Sequence, residues 1–173
     1  MKSLLLAVVL IFFSFFNIVN AKNSIVFIDL DNVLTVSKPG ANILKQLNIL
    51  KNKNLEDFEK KEKILKENEK KIIKQKNIIS KEDFQLKIKN LKNKVKEYKK
   101  YRDDKIKTFN KTKRDNTNKL LELINPVVLK YTKDESISMV LQKKNLILGQ
   151  SEFDITNLII TIVNKNIKEF KIK

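Results

Sequence analysis

The chain has 173 residues, with 37 Lys and Arg against 20 Asp and Glu, which gives a net charge of +17. It contains neither Cys nor His, which excludes thiol chemistry, disulfides, the usual zinc ligands and a histidine general base. With only 2 Gly and 2 Pro, long uninterrupted helices are favoured over a loop-rich or many-stranded fold. The excess charge predicts an anionic partner: nucleic acid, a membrane surface or an acidic protein.

Residues 1–21 have the three parts of a secretory signal peptide. Lys2 provides the positive start, residues 4–16 form an almost wholly apolar core, and Val19, Asn20 and Ala21 resemble a cleavage site. The apolar run is shorter than the roughly 20 residues of a membrane-spanning helix, although an uncleaved anchor is the alternative. An exported protein meets little nucleic acid, so no nucleic-acid partner is predicted, and the charge favours lipid head groups or acidic polypeptides.

Residues 24–30 form a β-branched and aromatic run that predicts a buried strand ended by Asp31 and Asn32. Val33 and Leu34 are expected to pack on the same core. Ser37, Pro39 and Gly40 mark a loop that leads into a helix, because Pro is tolerated in the first helical turn.

Residues 38–132 predict a helical hairpin with one turn near Ser80. Ser80 followed by Asp83 has the form of a capping box and therefore indicates a new helix start. One strongly apolar position recurs per seven residues, so each helix can pair with one neighbour but cannot be buried on all sides. The recurring positions are Phe58, Leu65, Ile72 and Ile79 on the first helix, and Phe84, Leu91 and Tyr98 on the second.

Charge is unequal between the two helices. Residues 87–114 hold 13 basic and 3 acidic side chains, a local net charge of +10. A solvated lysine face explains this pattern as well as an electrostatic funnel for an anionic partner does.

The carboxyl-terminal part predicts a return to mixed structure. Pro126 is expected to kink or break the second helix. Residues 136–142 and 146–148 flank a Lys-Lys-Asn sequence and predict a β-hairpin. Asp154 is the expected N-cap of a last amphipathic helix, and residues 167–173 alternate in the manner of a short edge strand.

The fold class is therefore α+β: a small β body with strands from both chain ends, and a long antiparallel α-helical hairpin. The predicted division is 22–37 and 133–173 for the body and 38–132 for the hairpin, with its tip near 77–82.

The order of these motifs resembles the OmpH/Skp family of periplasmic chaperones. The matching residues are those of 25–34, the Ser-x-Pro-Gly sequence 37–40, the strand 137–141, Lys144-Asn145 and Asp154-Ile155-Thr156. The resemblance covers the whole chain after residue 21. The motifs are short, and the resemblance rests on their order and spacing.

The resemblance implies a homotrimer in which strands of three chains complete a β-barrel and three hairpins surround a cavity as tentacles. It implies a periplasmic holdase that binds unfolded outer-membrane proteins there without ATP or any cofactor. Anionic lipid or lipopolysaccharide is a further candidate partner. Packing between the helices is the alternative role of the apolar residues, which makes Phe84 and the tip the better candidates for client contact. The full set of client-binding candidates is Phe58, Leu65, Ile72, Ile79, Phe84, Leu91, Tyr98, Lys92, Lys96, Lys99 and Arg102.

Two other functions compete with this hypothesis. Asp29 and Asp31 fit the first motif of the haloacid-dehalogenase phosphatases, in which one Asp attacks phosphorus beside Mg²⁺. The chain offers none of the further parallel strands and acidic loops that this fold needs, so we predict no catalytic residue and no metal. The other alternative is an exported coiled-coil spacer or scaffold, which has no need of strands at both chain ends.

Overall fold

The computed structural model describes residues 24–172. Its elements are strand β1 (Ser24–Ile28), helices α1 (Leu30–Val36), α2 (Lys38–Gln75) and α3 (Lys81–Asp134), strand β2 (Ile137–Gln142) and helix α4 (Thr156–Asn166). The predicted signal sequence in residues 1–21 lies outside the described residues. No helix within 24–172 combines the length and apolarity needed to cross a membrane.

The two long helices form the predicted hairpin, which we call the arm. At 1.5 Å per residue, the 38 residues of α2 extend about 57 Å. Ser80 caps α3, since its hydroxyl oxygen accepts a hydrogen bond from the Asp83 amide at 3.0 Å. The Asp83 carboxylate accepts from the Ser80 hydroxyl at 2.7 Å instead of reaching the Ser80 amide. The capping motif therefore forms only half of a reciprocal box.

Helix α3 continues through Pro126, so the chain has no break there. Ile124 is fully buried, and Val127 and Val128 pack against the same core. This packing on both sides of the proline holds the helix together despite the hydrogen bond that the proline removes.

Within residues 24–172 the sheet consists of two parallel strands, in which Ile25 lies opposite Met139 and Ile28 opposite Gln142. The predicted β-hairpin of residues 136–142 and 146–148 is wrong, because residues 146–148 form no strand. Lys143–Asn145 forms a 3-10 turn closed by a hydrogen bond from the Leu146 amide to the Lys143 carbonyl. This turn directs the chain away from β2, which pairs with the amino-terminal strand.

Helix α1 replaces the end of the predicted strand. Asp29 is its N-cap and accepts a hydrogen bond from the Asn32 amide at 2.9 Å. A similar shift occurs at α4, whose N-cap is Ile155 and not the predicted Asp154. The Asp154 carboxylate lies one residue earlier and accepts from the Thr156 amide at 3.0 Å.

One core joins the sheet, the short helices and the root of the arm. Its fully buried members include Val33 of α1, Ile124 of α3, and Ile159 and Val163 of α4. Residues 167–172 form no strand. They cross the root of the arm, where Ile167, Phe170 and Ile172 pack against this core. The arm is therefore anchored in the body by direct continuation of its two helices into the core.

Candidate functional site

The apolar candidates on the arm lie between its two helices, in what we call the seam. Phe58 is buried, and the other six are half-buried. Leu65 and Tyr98 border the same groove, as do Ile72 and Leu91. Ile79 and Phe84 lie next to the tip. The structure therefore brings the heptad positions together across the hairpin, which is the packing role that competes with client contact.

Midway along the arm, two tyrosines join α3 to acidic residues of α2. The Tyr98 hydroxyl donates a hydrogen bond to the Glu62 carboxylate at 2.6 Å, and the Tyr101 hydroxyl donates to Asp57 at 2.6 Å. We call these four residues the tyrosine clasp. Burial, followed by the Glu62 hydrogen bond and charge, raises the pKa of Tyr98 to about 12. The clasp is therefore formed with neutral tyrosines throughout the physiological pH range.

Aromatic contacts surround the clasp. The rings of Phe58 and Tyr101 meet edge to face at a centroid distance of 6.4 Å. Arg102 lies 5.7 Å from the centre of the Phe58 ring and 3.7 Å from Glu62. Arg102 is thus already engaged within the arm, which sets it apart from the three candidate lysines.

Lys92, Lys96 and Lys99 are all exposed. Of these, Lys99 borders a groove of about 320 Å³ together with Leu91, Tyr98 and Arg102. On the other flank of the seam, two neighbouring grooves of about 360 and 310 Å³ share Asn68 and Lys94. The arm therefore presents shallow grooves with apolar floors and lysine-rich rims on both flanks.

A second set of apolar residues on the arm was not among the named client-binding candidates. Ile78 at the tip is 79% exposed, and Ile64, Ile73 and Leu86 are each more than half exposed. A signal for three of them was available, because Ile64-Leu65, Ile72-Ile73 and Ile78-Ile79 are adjacent apolar pairs. Successive helical residues point about 100° apart, so only one member of a helical pair can lie in the seam. Ile49, Leu55 and Leu129, which lie closer to the body, are also more than half exposed. Ile64, Ile73, Ile78 and Leu86 are therefore the exposed apolar surface of the part of the arm nearest the tip.

The two aspartates of the phosphatase motif have other surroundings. The Asp29 carboxylate caps α1, and its amide donates a hydrogen bond to the Thr156 hydroxyl at 2.8 Å. Asp31 is exposed and lies 3.6 Å from the Lys144 ammonium group. Within residues 24–172, no group of three or more His, Cys, Asp or Glu side chains could hold a metal ion. Asp29 therefore has a structural role at the start of the body.

An ion pair fastens the segment after β2 to the start of α4. The Lys143 ammonium group donates to the Asp154 carboxylate at 2.6 Å and lies 5.8 Å from the centre of the Phe27 ring. Burial alone would raise the pKa of Asp154, but hydrogen bonds from Lys143 and Thr156 hold it below its usual value. The same hydrogen bond raises the pKa of Lys143.

Comparison with known proteins agrees with this architecture. The model of the family described as outer membrane protein (OmpH-like) matches residues 24–163. A crystal structure from Caulobacter crescentus CB15, described as that of a candidate OmpH-like outer membrane chaperone, aligns with a TM-score of 0.79. The alignment covers 86% of this chain and 88% of the other at 13% sequence identity, which shows a shared fold. No curated protein gives a significant match. Since the family model spans most of the chain, the protein belongs to the OmpH-like outer membrane protein family.

Proposed function

We propose that this protein is an ATP-independent periplasmic holdase that binds unfolded outer-membrane proteins between helical arms and prevents their aggregation. Membership of the OmpH-like family supports a chaperone role. One observation carries the finer proposal: Ile64, Ile73, Ile78 and Leu86 are exposed on a lysine-rich arm although they are apolar. Such a surface offers weak, sequence-tolerant contacts, and its charge attracts acidic clients.

The four exposed residues and the seam residues have different roles. The seam residues hold the two helices together, so a client can reach only the sides of them that face the grooves or the tip while the hairpin stays closed. The exposed residues are free for contact while the arm stays folded. Phe84 and Ile79, half-buried beside the tip, would extend this surface. The candidate lysines Lys92, Lys96 and Lys99 would supply the long-range attraction, which would also act on anionic lipid or lipopolysaccharide.

A homotrimer is part of the proposal. The body exposes half of Ile25 and Met139 on its two strands, and almost all of Ile147 and Leu148 in the segment after β2. A sheet of two strands is marginal in water and leaves edges open for pairing. Association of three bodies would cover this apolar surface and place three arms around one cavity.

Light scattering on a sizing column tests the assembly with residues 22–173. We expect the mass of a trimer and an elution volume that is too early for a compact particle of that mass. Replacing Ile147 and Leu148 by Asp should convert it to monomers. A wild-type protein that is monomeric would overturn the trimer.

The chaperone activity is tested by the turbidity of an unfolded outer-membrane β-barrel protein diluted from urea. The wild type should suppress turbidity without ATP. A variant with Ser at positions 64, 73, 78 and 86 should suppress it much less, although its arm stays helical by circular dichroism. The matched control replaces the exposed Asn77, Gln85 and Asn93 by Ser and should behave like the wild type. A wild type without effect on turbidity would favour a spacer or scaffold, whereas Mg²⁺-dependent cleavage of a phosphate ester would favour the phosphatase.

A further inference from the structure

Residues 167–172, which follow α4, bind to the root of the arm through contacts like those of a bound peptide. After α4 ends at Asn166, residues 167–172 turn the side chains of Ile167, Phe170 and Ile172 towards the core. The charged side chains of Lys168, Glu169 and Lys171 are exposed. We call residues 167–172 the tail. It lies beyond residues 24–163, so the family match does not account for it.

The side chain of Gln46 on α2 binds the backbone of the tail at two points. Its amide nitrogen donates a hydrogen bond to the Phe170 carbonyl at 3.0 Å, and its amide oxygen accepts one from the Ile172 amide at 3.1 Å. A carbonyl and an amide two residues apart are the groups that a strand presents to one residue of a parallel neighbour. Gln46 therefore takes the place of a neighbouring strand.

Other residues hold Gln46 and complete the binding surface. The Gln46 amide nitrogen also donates to the Asn42 side-chain oxygen at 2.7 Å, which fixes the orientation of the amide. The amide nitrogen of Asn42 donates to the Glu169 carboxylate. From α3, the Lys119 ammonium group lies 4.4 Å from the centre of the Phe170 ring, within the range of a cation–π contact. We call the surface formed by Asn42, Gln46 and Lys119 the root groove.

We propose that the root groove is a binding site for extended polypeptide and that the tail occupies it as a displaceable intramolecular ligand. The two hydrogen bonds between Gln46 and the tail involve only main-chain groups of the tail, which every polypeptide offers. Binding of this kind takes its affinity from the main chain and its preference from alternate side chains. The preferred segment has an aromatic residue followed two positions later by an aliphatic one.

The partner is an unfolded client segment, so this inference rests on the proposed function. A covalently attached ligand competes at an effective concentration in the millimolar range. A client segment must therefore reach a high local concentration, as it would when held by the arms, before it displaces the tail. The root groove would then bind only clients that the arms have already captured.

The first test uses a fluorescein-labelled peptide with the sequence of residues 166–173 and measures its anisotropy at physiological salt. In the release variant, Phe170→Ser and Ile172→Ser free the tail without changing length or charge. Lys168→Ser and Lys171→Ser make the matched control, because both side chains are exposed. We expect the release variant to bind the peptide at least about tenfold more tightly than the wild type and the control. Adding Gln46→Leu should abolish that gain.

Circular dichroism and thermal unfolding establish that the release variant is folded. If it is folded and binds the peptide no more tightly than the wild type, the root groove is not a peptide site. If it does not fold, the second test decides, because that test keeps the full tail in place.

The second test places the photo-crosslinker benzoylphenylalanine at position 170 of the full chain. Irradiation should give an intramolecular crosslink to α2 or α3, and an unfolded β-barrel client should reduce it and produce a client adduct. An unchanged intramolecular crosslink, in a sample that suppresses client aggregation, would overturn this inference while leaving the proposed function intact. Failure to suppress aggregation would instead count against the proposed function. The anisotropy measurement of the first test would then still show whether the root groove binds peptide.

Discussion

The Tyr98 hydroxyl and the Glu62 carboxylate meet at 2.6 Å across the two helices of the arm. They are 36 residues apart in the chain, and the bond requires a protonated tyrosine. Because the pKa of Tyr98 is raised to about 12 from 10.0, its contribution to stability is complete below pH 10. It is lost as the pH rises through about 12. The arm is consequently sensitive to alkali at the tyrosine clasp, where Tyr101 and Asp57 form a second bond of this kind.

Alkaline titration followed by phenolate absorbance tests this relationship. The pKa values of Tyr98, Tyr101 and Tyr131 are all raised from 10.0, so all three tyrosines should ionise above pH 10. Glu62→Gln keeps a hydrogen-bond acceptor but removes the charge, and it should lower the pKa of Tyr98 towards 10.0. Tyr98→Phe identifies the transition that belongs to this residue. An unchanged titration curve in Glu62→Gln would show that the bond across the seam does not form in solution.

Acid should weaken the body through Asp154. Its pKa is lowered from 3.8 in the folded chain, so its contribution to stability is present above about pH 4 and is lost as the pH falls through the folded value. Asp154→Asn should therefore reduce the free energy of unfolding at pH 7 and make it less dependent on pH below 4. Urea unfolding at pH 7 and pH 3 measures both effects. Asp134→Asn is the control, because its pair with Lys130 is exposed and contributes little.

Gly40→Ala should destabilise the corner between α1 and α2. A Cβ at this position would overlap the Leu34 carbonyl oxygen, so the backbone itself would have to move. Crowding of this kind costs about 1–3 kcal/mol or more. Thermal unfolding checks the loss, and Lys45→Ala, at an exposed position on the same helix, should change stability by less than about 0.5 kcal/mol. Equal stability of the two variants would contradict the tight corner.

Client capture should slow as salt is raised, because the charges of exposed lysines are screened beyond about 8–10 Å. Replacing Lys92, Lys96 and Lys99 by Gln should slow capture at low salt and reduce its salt dependence. Stopped-flow fluorescence of a labelled unfolded β-barrel protein measures the rate. The control carries the same charge change at the exposed Lys133, Lys165 and Lys168, which the predicted division assigns to the body. If capture by the wild type has the same rate at low and high salt, the basic arm serves solubility alone.

The parts of the fold that local sequence determines were predictable. The two long helices follow from the seven-residue repeat and the scarcity of Gly and Pro, and the start of α3 follows from Ser80 and Asp83. Ile64, Ile73 and Ile78, three of the four exposed apolar residues nearest the tip, could have been found from the adjacent pairs. The division of the chain into body and arm, and the client-contact roles, stay predictions.

The features that were missed or wrongly predicted depend mainly on contacts between residues that are distant in the chain. Tyr98 with Glu62, and Gln46 with the tail, are joined only once the hairpin and the core have formed. The β-hairpin after β2 was predicted because neighbouring apolar runs suggest local pairing. The turn at Lys143 favours instead a strand from the other end of the chain. Helix α1 has only seven residues, too few for a helical repeat to be recognised.

The parallel pairing of β1 with β2 also has a consequence for the order of folding. Ser24 pairs with Ile137, so the sheet closes a loop of 113 residues (137 − 24). Closing a flexible loop of that length costs about 4 kcal/mol in chain entropy, apart from a constant. If the arm forms first, from contacts that start at its tip, its two helices bring both strands to the same root. We therefore expect the arm to be the template on which the sheet assembles, so that substitutions far out on the arm slow the folding of a body they never touch.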